Sequence, residues 1–218
     1  LGLKGNPNLA EELQISRDIS ILEYTGGSLH IPTISTAKSV DLIREAKSKG
    51  LDVSCSVAIH NLIFTDNCLE SYNTNYKVTP PLRTQNDIDM LIEGLKDGTI
   101  EMVTTDHDPI AIENKKVEFD FAAYGTIGLE SAFGTLNSIF TTKQTVQLLT
   151  NGKKRFNIPE NSISVGNECR ITLFNPTSSY AFEEKHIHSK SKNSMFLGHQ
   201  LKGNVYGIIA NSTCSIDL

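Results

Sequence analysis

The 218-residue sequence contains no run of lysine and arginine, no apolar stretch near the roughly 20 residues that cross a bilayer, and no charged-then-apolar N-terminal signal pattern. With a formal net charge of -5, it lacks the concentrated positive charge that nucleic acid or an anionic membrane demands, so neither is expected as the main partner. The expected location is the cytoplasm. Four cysteines, Cys55, Cys68, Cys169 and Cys214, lie far apart with no CxxC pair, which excludes a structural zinc motif and a disulfide framework and leaves reduced thiols. No internal repeat or low-complexity tract is visible. What remains, at 39% hydrophobic and 21% charged residues, is the composition of an ordinary globular protein with a substantial core. The chain opens on Leu1 rather than methionine, and LGLKGNPNLAEE reads like the middle of a domain, so an N-terminally truncated chain is expected.

Periodicity predicts alternating helices and strands. A first helix is expected over 7–24, from Leu9, Leu13, Ile15, Ile19 and Leu22, with Gly26-Gly27 as the stop. A short strand over 29–34 ends at Ser35-Thr36, whose hydroxyls suit a helix cap. The next helix carries Val40, Leu42, Ile43 and Ala46, closes at Gly50, and feeds a strand over 51–58. Strand, helix and strand in this order predict parallel pairing. Tyr76 to Val78 is expected as a short strand before Pro80-Pro81. Thr84 and Asp87 approximate a capping box for a helix ending at Gly98, and a strand over 100–105 runs into Asp106-His107-Asp108. Leu129, Phe133, Leu136 and Ile139 mark a further helix, and Thr141 with Gln144 opens another that ends at Asn151-Gly152. Beyond Ser162 the signals change to short strands over 170–174 and 204–210, the pattern of a small β module.

Parallel β/α enzymes place chemistry at the C-terminal ends of strands. Three such ends hold candidates: Thr33 to Thr36, His60-Asn61 and Asp106-His107. A histidine and an aspartate from different strand ends are suited to hold a divalent metal, which lowers the pKa of bound water and polarises a carbonyl. Asp106 is equally suited to act as a general base. The competing reading of both residues is structural, since strand-end histidines and aspartates also cap helices and bind loop backbone. His30 and His107 read as packing or orienting residues. Lys77, Arg83, Lys190 and Lys192 read as solvated surface.

The segments NYKVTPPLRT (75–84), DGTIEMVTTDHDP (97–109), YGTIGLE (124–130), HSKSKN (188–193) and GHQLKG (198–203) resemble dihydroorotase in order, spacing and wording, and the likeness runs from Leu1 to about Ala210. The resemblance implies an α/β fold, the C-terminal half of a (β/α)8 TIM-type barrel (strands five to eight) plus a small β-sandwich module. Residues 1–160 would be the partial barrel and 161–218 the β module. It also implies reversible hydrolysis of the cyclic amide of dihydroorotate to N-carbamoyl-L-aspartate, with one or two zinc ions activating the attacking water. His60 matches a metal-binding histidine, and Asp106 matches the strand-eight aspartate that touches metal and shuttles the proton. Tyr124 and Gly125 match the loop whose backbone contacts the substrate ring, and Thr79 stands where an asparagine usually contacts it.

The departures are equally specific. The HxH motif, the substrate-binding arginine and the bridging carboxylate or carboxylated lysine of that family have no counterpart in this chain. Thr33 stands where a strand-five histidine usually binds metal, Asn61 where a second histidine often follows His60, and Ile110 where many members carry a histidine for the substrate carboxylate. His30 lies three residues from Thr33, on the opposite face of a strand, and does not replace the missing ligand. These changes open a second reading, a non-catalytic homologue serving as scaffold. The partners implied are the small-molecule substrate, a second copy in a homodimer, or aspartate carbamoyltransferase. The chain alone is expected to be inactive.

Overall fold

The computed structural model describes residues 1–160 and 162–216. They form two compact units, one of residues 1–129 with 187–195, the other of the described residues between 130 and 186 with those from 196 to 216. This packing division does not fall at the expected 160/161 boundary, which adjoins Asn161, itself outside the described residues.

The first unit is built on three parallel strands, β1 (Ser28–Ile31), β2 (Asp52–Ala58) and β3 (Met102–Thr104), in that order. Ser28 to Ile31 pair with Asp52 to Cys55, and Ser56 to Ala58 with Met102 to Thr104, so the expected parallel register is present. Helix α1 (Asn8–Thr25) precedes β1, α2 (Ala37–Ser48) links β1 to β2, and α3 (Gln85–Asp97) precedes β3. Val40, Ile43 and Ala46 of α2 and Ile88, Leu91 and Leu95 of α3 are buried with Val53, Cys55 and Val57 of β2. Each of the buried Val, Ile and Leu side chains contributes roughly 1.5–3 kcal/mol by leaving water. Gly94 permits α3 to approach closely, because a Cβ there would stand 3.0 Å from Val40 Cγ1 and 3.1 Å from Ile100.

Local sequence sets the ends of these elements. Thr84 and Asp87 form a reciprocal capping box at the start of α3, and Thr36 accepts from the Ser39 amide at the start of α2. Further amides at and just before the start of α2 are met from elsewhere in the chain. Glu11 of α1 accepts from the amides of Ser35 and Thr36 and from the hydroxyls of Ser35 and Ser39, while Asp87 accepts from the Ala37 amide. A carboxylate there both satisfies buried donors and complements the positive end of the helix dipole.

Two expectations need correction. The strand expected over 29–34 stops at Ile31, because Pro32 has no amide proton and Thr33 turns to a left-handed φ of 47°. The strand expected at Tyr76 to Val78 is a 3-10 turn over Thr74–Tyr76, stabilised by the Asn73 side chain accepting from the Asn75 amide. Among the described residues the parallel sheet therefore has three strands.

In the second unit α4 (Ala132–Ile139), α5 (Thr142–Thr150) and the short α6 (Gly152–Arg155) accompany an antiparallel sheet of β4 (Arg170–Ala181), β5 (Gln200–Ala210) and β6 (Thr213–Ile216). α4 belongs here because its Asn137 side chain donates to the carbonyls of Pro176 and Lys202, at 2.8 and 3.0 Å. The strands β4 and β5 run longer than expected, with register shifts at Leu173/Phe174 and Asn175/Ser179.

Candidate functional site

The first unit brings His60 and Asp106 together from separate strand ends. His60 lies in a 3-10 turn, Ile59–Leu62, that follows β2 directly. Asp106 lies two residues past β3, in a left-handed conformation with φ 45° that aspartate tolerates better than most residues, and its amide donates to Thr104 Oγ1. His60 Nε2 stands 3.9 Å from Asp106 Oδ2, too far for a hydrogen bond. The imidazole is fully buried and neither ring nitrogen has a hydrogen-bond partner. Burial lowers its pKa to about 4, so at neutral pH the ring is uncharged and keeps a free lone pair. Burial, and then the neighbouring Asp108 charge, raise the pKa of Asp106, as suits a carboxylate that exchanges a proton.

An orphaned neutral imidazole facing a half-exposed carboxylate is the donor chemistry of a divalent-metal site, and these two side chains fit part of such a set. Among the described residues no group of three or more His, Cys, Asp or Glu side chains is placed to hold an ion. Thr33, at the end of β1, supplies no imidazole to complete it.

The other expected site residues lie on the loops around the pair. Gly125 is buried with φ 125°, and a Cβ there would fall 2.4 Å from Asp108 Oδ2, so the turn requires glycine. Its amide donates to the Lys77 carbonyl at 2.9 Å. Tyr124 is 56% exposed, and Thr79 is exposed as well. Both line a cleft of about 690 Å³ with Lys77, Arg83 and Phe119, and neither His60 nor Asp106 lines it. The structure thus joins His60 to Asp106 and Tyr124 to Thr79, without one cavity holding all four. A second cleft of about 340 Å³ is lined by His30, Thr33, Thr79, Glu11 and Arg83.

One lysine and one arginine behave otherwise than expected. Lys77 and Arg83 are buried, not solvated. Lys77 Nζ donates to the carbonyls of Phe119 and Asp120 and lies over the Tyr124 ring, 4.8 Å from its centroid. Lys115, which carries no sequence signal, donates to the carbonyls of Thr74 and Ala123, and burial lowers its pKa to about 8. Together they pin the loop that leads to Tyr124. His107 orients backbone rather than Asp106: its Nδ1 accepts from the amides of Gly128 and Leu129 at 3.2 and 3.3 Å. His30 Nδ1 meets Ser54 Oγ at 2.8 Å, in keeping with a structural role.

The deciding comparison is with curated sequences. The chain is similar to dihydroorotases. It is 43% identical over 211 residues to the dihydroorotase of Thermoanaerobacter sp. (strain X514), covering 94% of this chain and 49% of that protein. It is 41% identical over 220 residues to the dihydroorotase of Ruminiclostridium cellulolyticum, covering 98% of this chain and 51% of that protein. The chain therefore spans about half the length of the dihydroorotases it matches. Among solved structures it is similar in fold to an L-hydantoinase (dihydropyrimidinase) from Arthrobacter aurescens, with a TM-score of 0.88 over 97% of this chain and 50% of that one, at 23% identity. No family model matches the chain. Among the described residues no helix is long and apolar enough to cross a membrane.

Proposed function

We propose that this chain supplies the C-terminal part of a metal-dependent cyclic amidohydrolase of the dihydroorotase type. On this reading residues 1–160 contribute the C-terminal half of a (β/α)8 barrel, with three of its strands formed as β1, β2 and β3, and residues 161–218 its β module. The full-length protein interconverts dihydroorotate and N-carbamoyl-L-aspartate. The observation that carries the reading is the His60–Asp106 pair, a buried imidazole without a hydrogen-bond partner facing a part-exposed carboxylate at an adjoining strand end, in a chain similar to dihydroorotases over half their length.

His60 and Asp106 would hold one divalent ion, taken to be zinc, which when bound supplies Lewis-acid polarisation of the ring carbonyl and lowers the pKa of the attacking water. His60 contributes a neutral ring whose lone pair no hydrogen bond occupies. As water adds to the ring carbonyl, a C–O bond forms and the ring C–N bond breaks. Asp106 takes the water proton at its carboxylate and returns it to the departing nitrogen, a task its raised pKa favours. Backbone groups at Tyr124 and Gly125 and the Thr79 side chain would meet the substrate ring.

A scaffold that had abandoned catalysis would gain nothing from a fully buried, partnerless imidazole, because such a group costs stability. Thr33, Thr79 and Ile110 favour that alternative all the same. Cyclisation of carbamoyl aspartate by the purified full-length protein separates the two. The expected result is turnover that Asp106→Asn lowers by about a hundredfold or more, with bound metal falling in His60→Leu. Equal turnover by wild type and Asp106→Asn removes Asp106 from the mechanism, and a metal-free, inactive full-length protein leaves the scaffold.

A further inference from the structure

Asn193 lies in the 187–195 segment that packs with the first unit, is buried at 5% exposure, and uses every polar atom of its side chain. Its Oδ1 accepts from the Ile110 amide at 3.1 Å, and its Nδ2 donates to the Asp108 carbonyl at 2.9 Å and to the Gly125 carbonyl at 3.4 Å. The first two bonds read the carbonyl of one residue and the amide of the second residue beyond it, as a neighbouring β-strand would. The third reaches the other turn. Its backbone carbonyl accepts from the Ile127 amide and the Thr126 hydroxyl, both at 3.1 Å. One residue thus ties the 108–110 backbone, which follows Asp106, to the 125–127 backbone, which follows Tyr124.

We propose that Asn193 is a positioning residue that clamps the turn carrying Asp106 to the turn carrying Tyr124 and Gly125, holding the proton-exchanging carboxylate and the substrate-facing backbone in one register. This rests on the reading of those two turns as parts of one active site. Only a primary amide at this reach offers one acceptor and two donors in a plane. Aspartate would turn acceptor oxygens on two carbonyls, glutamine would overreach, and alanine would leave three backbone groups unpaired. The direct tie of the parallel His107–Thr126 bridge, in which the Asp108 amide donates to the Thr126 carbonyl at 2.8 Å, would remain. Loss of Asn193 should therefore loosen the register without unfolding the unit.

The test uses full-length Asn193→Asp, with Asn193→Ala as the second variant in case the buried charge prevents folding. Hydrogen exchange is expected to quicken about tenfold or more in peptides over 106–110 and 124–128 and to stay unchanged in α2 and α3. Carbamoyl aspartate cyclisation should lose about tenfold or more in kcat/KM, with metal content equal to wild type. Unchanged exchange at the two turns, exchange that quickens uniformly through the unit, or full activity in both variants overturns the proposal. If the wild type does not cyclise carbamoyl aspartate but local exchange responds as described, the clamp stands as a structural device and the assignment of the site falls.

Discussion

At the scale of single residues, the site is marked by groups that are costly to keep. His60 buries two ring nitrogens without partners, and the penalty for an unsatisfied buried polar group is about 1–3 kcal/mol. His60→Leu is therefore expected to raise the stability of the metal-free protein by about 1 kcal/mol, read as a higher urea midpoint at unchanged slope. A lower midpoint would mean that the imidazole is a structural member of the core. Gly125 carries the opposite constraint. With φ at 125° and Asp108 Oδ2 2.4 Å from any Cβ, Gly125→Ala should cost about 2 kcal/mol or more and displace Asp108. Chemical denaturation gives the cost, and an unchanged midpoint would show that the turn relaxes freely. Lys115 adds a pH dependence. Its pKa in the folded chain is about 8 against the usual 10.5, so the folded state favours the neutral amine. That contribution is complete above about 10.5 and is lost as pH falls toward 8, below which it stays flat. Between pH 8 and 10.5, wild type should gain stability relative to Lys115→Met as pH rises, and parallel stability curves for the two would contradict the burial of this charge.

At the scale of elements, the helix caps were readable where both partners lie close in sequence. The capping boxes of α3 and α5 lie within four residues of chain, and both form as Thr84-Asp87 and Thr141-Gln144 predict. The cap of α2 was half legible. Thr36 is its local part, but the main acceptor is Glu11, more than twenty residues upstream on α1. Glu11→Ala removes the acceptor for two backbone amides and two hydroxyls at once. It should cost about 2–3 kcal/mol, with faster amide exchange confined to the first turn of α2. A loss of only a few tenths would mean that water replaces the carboxylate there. The strand expected at Tyr76 to Val78 failed even though the deciding group is close by, because the Asn73 side chain, three residues upstream, turns the backbone before Tyr76.

At the scale of the whole molecule, the parallel sheet ends on β1 and β3, each with one strand neighbour among the described residues. Strand edges of this kind invite pairing with another chain. The 218 residues expressed alone are expected to self-associate as concentration rises, measured by sedimentation velocity, and a monomer at all concentrations would show that these edges are protected by other means.

The sequence alone determined the helices and the strand–helix–strand order at the start of the first unit, the parallel pairing of those strands, and the two strand ends that carry His60 and Asp106. Hydrophobic spacing and cap chemistry act within a few residues and survive in a linear reading. The tertiary structure alone decided what those residues meet: that His60 is partnerless, that Lys77 and Arg83 are buried, that Glu11 caps a distant helix, and that Asn193 joins two turns 68 to 85 residues away. Burial and hydrogen-bond partnership depend on chain closure over long separations, and no local pattern records which distant groups a fold will bring within 3 Å of one another.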